Sequence, residues 1–165
     1  MSLRARAVLE DCRAALAEFE QATDQNVKRR RWVALVALMR AVGHVLQKVD
    51  HAHADLTVRS AIEHGYTIRK DIPVFKFFIK AERDNVLKQY RFNPQEKGPI
   101  ANVYVEHEFD DTGNLKPPAL RISIEESVLL TEGHFSGWTP EQVAESAIDF
   151  WSGYLDDVER SASAN

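Results

Sequence analysis

The run VKRRRWVALVALMRAVGHVLQKVD, residues 27–50, decides the fold. Leu35, Leu38, Met39, Val42, Val45, Leu46 and Val49 recur in it with helical spacing and mark an apolar stripe. The opposite side is not simply polar, because Val33, Val36 and Ala37 stand beside Arg40, His44 and Gln47. A helix apolar on two sides needs neighbours on two sides, so it belongs at the centre of a bundle or in an interface between copies. Its longest unbroken apolar run, Trp32–Met39, is far shorter than the roughly 20 residues that span a bilayer, and no membrane is expected.

Outward from that helix the pattern stays helical on both sides. Val8, Leu9, Cys12, Leu16 and Phe19 predict a first helix over about residues 3–22, and Thr23 or Asp24 can cap the second. Val58, Ile62 and Tyr66 predict a short helix over 55–65, with Gly65 as its terminator. Asp71 and Pro73 predict the start of a longer helix over 71–91, which ends before Pro94. The period then changes to two. Val103 and Val105, the turn residues Asp110–Asn114, and Leu120, Ile122 and Ile124 predict a β-hairpin over about 101–125. Thr139-Pro140-Glu141-Gln142 is a capping box with proline in the first turn, and Val143, Ala147, Phe150, Trp151, Tyr154 and Val158 form the stripe of a last helix over 139–160. The expected fold is mainly α: one domain of 165 residues, an up-and-down bundle of four long helices and a short one, with a hairpin inserted before the last helix.

Composition narrows the function classes. With one cysteine, Cys12, the chain can form no internal disulfide and no cysteine-based zinc site, and a reducing cytoplasm is the expected setting. The net charge of −4 conceals an asymmetry: residues 28–92 hold 14 Lys and Arg against 6 Asp and Glu, whereas residues 93–165 hold 4 against 14. The basic middle either faces an anion such as RNA or packs against the acidic remainder.

Several constellations could carry chemistry. His51-Ala52-His53, with Asp50, Asp55 and His44 nearby, offers imidazole and carboxylate, but it lacks the paired Glu-x-x-His of di-iron bundles, and neither metal nor cofactor is expected. Arg40 and His44 lie one helical turn apart and form either a buried structural pair or the edge of an anion site. The most specific pattern is Arg59-x4-His64-x-Tyr66. A group titrating near neutrality could take the proton of an RNA 2′-hydroxyl, and a guanidinium could hold the pentavalent phosphate. A second register, Arg83-x4-Lys88-x-Tyr90 with Asn85, keeps the cations but replaces the base by lysine.

An all-helical bundle carrying Arg-x4-His-x-Tyr resembles the HEPN superfamily. That resemblance implies a four-helix bundle, often a homodimer, which binds RNA or a nucleotide and in many members is a metal-independent ribonuclease or toxin of a toxin–antitoxin pair. It implies Arg59, His64 and Tyr66 as catalytic residues by motif. By position at the end of the third long helix it implies Arg83, Lys88 and Tyr90, and hence a degenerate member. The alternative is a non-catalytic module that dimerises or binds a protein through the apolar back of residues 27–50 and the hairpin.

Overall fold

The computed structural model describes residues 3–89, 94–106, 119–131 and 133–163. Helix α1 (Arg4–Gln21) packs along α2 (Gln25–Val45), which continues without a break through a π-helical turn, Leu46–Asp50, into the single turn α3 (His51–His53). Then come α4 (Leu56–Arg69), a second π-helical turn (Val74–Ile79), α5 (Ala81–Gln89), an antiparallel hairpin of β1 (Pro94–Glu106) and β2 (Ala119–Leu130), and α6 (Pro140–Ser163). The expected mainly α bundle with one hairpin before the last helix is the observed fold.

Residues 25–53 form the central rod. Trp32, Leu35, Val36, Met39, Val42 and Leu46 are buried, and Asp24 caps the start by accepting a hydrogen bond from Val27 N at 2.9 Å. By length and composition this rod includes a stretch apolar enough to cross a bilayer, a feature that counting only unbroken apolar runs overlooks. In the bundle its apolar side chains pack against α1, α5 and α6.

The stripe predicted for this helix drifts at its end, where Val49 is half-buried and Asp50 is buried. A π turn holds more residues than an α turn, so it rotates the following side chains around the axis. Asp50 is thereby turned toward the N-terminus of α1, where its two carboxylate oxygens accept from Arg4 N and Ala5 N, each at 2.9 Å. Helix α1 begins after Leu3, which offers no capping side chain, so a residue 45 positions away supplies the cap.

Helix α6 closes the bundle. Its predicted capping box is present: Gln142 N donates to Thr139 Oγ1 at 3.1 Å and Thr139 N to Gln142 Oε1 at 3.0 Å. Trp151 and Tyr154 lie stacked, with centroids 6.0 Å apart, and each faces a glycine. A Cβ added at Gly43 would stand 2.5 Å from the Trp151 ring, and one at Gly65 would stand 2.3 Å from the Tyr154 ring. The Tyr154 hydroxyl donates to Ile62 O. Gly65 is therefore not the terminator the sequence suggested. It lies inside α4, which runs on to Arg69, and it is small because an aromatic ring occupies the space of a side chain.

Two further boundaries differ from expectation. Asp71 caps no helix: the segment after α4 turns through Ile72 N→Arg69 O, and the expected helix over 71–91 is divided into a π turn and α5. The hairpin is longer than predicted, and its register pairs Val105 with Leu120, Val103 with Ile122 and Ala101 with Ile124. The turn residues Asp110–Asn114 lie outside the described residues. At the hairpin's root Leu130 is buried, and Leu130 N donates to Trp138 O at 2.8 Å. Gly133 and Gly137, with φ of 83° and 86°, supply the left-handed backbone of the turn into α6.

Substitution at three glycines separates space from propensity. Gly43→Ala and Gly65→Ala are expected to lower unfolding free energy by about 1–3 kcal/mol through overpacking. Gly153→Ala, whose Cβ would meet nothing within 4 Å, is expected to raise it by about 0.5–1 kcal/mol through helix propensity. Urea titrations of the three variants measure both signs.

Candidate functional site

The residues of Arg59-x4-His64-x-Tyr66 all lie on α4 but engage different neighbours. The Arg59 guanidinium reaches back to the end of α3, where Nε donates to Ala54 O at 2.9 Å and Nη2 to Ala52 O at 3.1 Å. It thus satisfies carbonyls left open at a helix C-terminus, where positive charge is also favoured. His64 is exposed and lines a groove of about 450 Å³ between α4 and α6 with Ala61, Ile68, Arg69, Asp157 and Arg160. Tyr66 is 38% exposed and meets the edge of Phe75, with ring centroids 6.1 Å apart. A step of five residues turns a helix by about 140°, which accounts for the divergence of Arg59 and His64 within one chain.

The second register is more compact. Asp84 sits among cations, with Arg83 Nε at 2.8 Å and Lys88 Nζ at 2.9 Å. The Lys88 hydrogen bond holds the Asp84 carboxyl below the usual range, against its desolvation, and the charges of Arg83, Lys88 and Arg40 add to the effect. Three cations thus gather about one half-buried carboxylate. Asn85 is directed instead at Glu82, at a long 3.5 Å, and His44 is exposed on α2. Tyr90 lies outside the described residues.

The histidine and aspartate constellation disperses into helix ends. Asp50 caps α1, Asp55 caps α4 by accepting from Val58 N at 2.9 Å, and His51 Nε2 lies 2.9 Å from Glu63 Oε1. Among the described residues no three His, Cys, Asp or Glu side chains gather as a metal site would require. Burial pushes the Cys12 thiol up to about 12, which removes it as a thiolate nucleophile near neutral pH.

Part of the charge asymmetry is neutralised inside the bundle. Arg6 on α1 binds Asp156 and Glu159 on α6, each at 2.6 Å, and those carboxylates hold its guanidinium pKa above the ordinary value although burial pulls it down. Arg69 on α4 binds Asp157, which Arg160 also approaches at 2.9 Å. The bond from Arg69 is the main cause that lowers the Asp157 pKa, ahead of the opposing desolvation. The acidic last helix thus pairs with Arg6 of α1 and, from the basic middle, with Arg69 of α4.

Sequence reasoning missed two groups. Glu82 is a buried carboxylate that accepts from the Trp32 indole at 3.2 Å, and only the three-dimensional fold brings these residues, 50 positions apart, together. An aromatic cluster also gathers at the hairpin root, where His134 stacks on exposed Phe77 with centroids 4.8 Å apart and Phe135 meets Trp138 at 5.2 Å. Comparison of this chain with protein-family models, curated proteins and solved structures finds no match.

Two measurements follow. Arg59→Ala is expected to cost about 1 kcal/mol of stability by opening the α3 carbonyls, read by thermal or urea unfolding. Asp157 has its folded pKa depressed, so its stabilising contribution is present above the unfolded value of about 3.9 and is lost as pH falls through the folded value. In carboxyl NMR titrations, Arg69→Gln is expected to bring the Asp157 midpoint back up toward that unfolded value.

Proposed function

We propose that this chain is a non-catalytic interaction module whose binding element is the hairpin. The carrying observation is the exposure of Val105 at 51% and Leu120 at 67%, although they are register partners in the same sheet. Among the described residues the hairpin is anchored at its root, where Leu130 is buried and bonded to Trp138 O. A two-stranded sheet is marginal in water by itself, and an apolar face is kept exposed when a partner covers it. The placement of Arg59 agrees with this reading, since its guanidinium is engaged by chain carbonyls, whereas a phosphate would need it free.

A second reading, HEPN-like RNA binding, is favoured by one observation: the gathering of Arg40, Arg83 and Lys88 around Asp84. More cations than carboxylates at one surface point suit a phosphate. Cleavage on this reading would require His64 of one copy to meet an arginine of another.

One experiment separates the two. The parent and His64→Ala are incubated with a generic RNA in excess chelator, and Leu120→Asp is compared with the parent for association by sedimentation. The interaction reading expects intact RNA in both samples and association, with a second copy or with a protein of the native extract, that Leu120→Asp abolishes. RNA cleavage in chelator that disappears with His64→Ala would overturn it.

A further inference from the structure

We infer that the hairpin of one chain docks on the bundle end of a second copy, at the turn between α4 and α5, and that the exchange is reciprocal. The inference rests on the interaction reading and names its partner.

The bundle end in question carries an exposed apolar patch on a basic background. Ile68 is 55% exposed, Ile72 38% and Phe77 44%. Lys70, Lys76 and Lys80 are exposed around them, and Lys76 Nζ stands 5.4 Å from the Phe77 centroid. Asp71 stands 3.9 Å from Lys76. The strands have the opposite character, because residues 94–106 and 119–130 hold four Glu against one Lys and one Arg. The pairing register and the two-residue period place Val103, Val105, Leu120, Ile122 and Ile124 at positions of one sheet face. An acidic arm with an apolar face therefore matches a lysine-bordered apolar patch in both charge and hydrophobicity.

The geometry directs the arm to another molecule. From the buried Leu130 to the exposed Leu120 the strand covers about 33 Å at roughly 3.3 Å per residue. The root of the arm lies beside the patch through the Phe77–His134 stack, and the exposed Val105 and Leu120 stand at the other end of that strand length. Two copies related by a two-fold axis bring each far end to the other's root, and one contact made twice closes the assembly. One strip of five apolar positions is small against the roughly 1,200–2,000 Å² of a standard interface, and its twofold repetition approaches that range.

Sedimentation velocity of the full chain over a wide range of concentration, at low and high salt, gives the test. The parent is expected to dimerise, more weakly at high salt. Leu120→Asp is expected to raise the dissociation constant by about tenfold or more, with an unchanged helical circular dichroism spectrum as the folding control. Lys76→Glu/Lys80→Glu and Glu125→Lys/Glu126→Lys are each expected to be monomeric alone and to form a heterodimer when mixed, because mixing restores opposite charges at both contacts. A parent dimer that Lys76→Glu/Lys80→Glu leaves unchanged overturns the docking site. A parent that stays monomeric, while Leu120→Asp abolishes binding to a different protein from the native extract, overturns the second copy as partner and leaves the interaction reading standing. A monomer whose hairpin binds nothing overturns both.

Discussion

The bundle depends on the seating of two aromatic rings in two glycine notches. Trp151 and Tyr154, three residues apart and stacked on α6, enter the spaces left by Gly43 on α2 and Gly65 on α4. This contact fixes the axial position of the last helix against two others at once. Packed interiors do not yield to an added methyl group in such a place. The polar contacts of α6 follow from that position: the Tyr154 hydroxyl meets Ile62 O, Asp157 meets Arg69, and Asp156 and Glu159 meet Arg6. Burial also pushes the Tyr154 hydroxyl pKa up, so it serves as a hydrogen-bond donor and not as an acid.

Helix ends supply the second theme. Asp24, Asp55 and the Thr139–Gln142 pair cap their own helices, Asp50 caps α1 from a distance, and Arg59 closes the end of α3. Among them Asp50 and Asp55 invite a metal reading, and Arg59 a nuclease reading, when only their spacing is visible. Carboxylates and guanidinium groups near helix termini relieve unpaired backbone groups, and that role accounts for them without a ligand.

The legible parts of the fold were the ones written locally. Apolar period marked the helices, the change to period two marked the hairpin, and Thr139-Pro140-Glu141-Gln142 marked the start of α6, because each depends on neighbours within a few residues. The π turn at Leu46–Asp50 was not legible, since the Asp50 carboxylate answers a helix start 45 residues away. Gly65 was misread for the same reason: a glycine near a helix end suggests a cap, and only the docked Tyr154 ring reveals that it serves as a notch. At the candidate site, the sequence located the cations Arg40, Arg83 and Lys88 but not Asp84 as their shared centre. It paired Arg59 with His64, two side chains that the α4 helix turns toward different neighbours.

What distinguishes this chain from a plain bundle is the arm, whose root is tied to the core by Leu130 and whose far end exposes Val105 and Leu120. If association is the function, the arm should be stabilised by whatever covers it. Amide hydrogen exchange of residues 94–106 and 119–130, followed as a function of protein concentration, tests this most directly. The account predicts that exchange in these strands slows as concentration rises, while exchange in the core of α6 does not change. Rapid exchange throughout the strands at every concentration would contradict it.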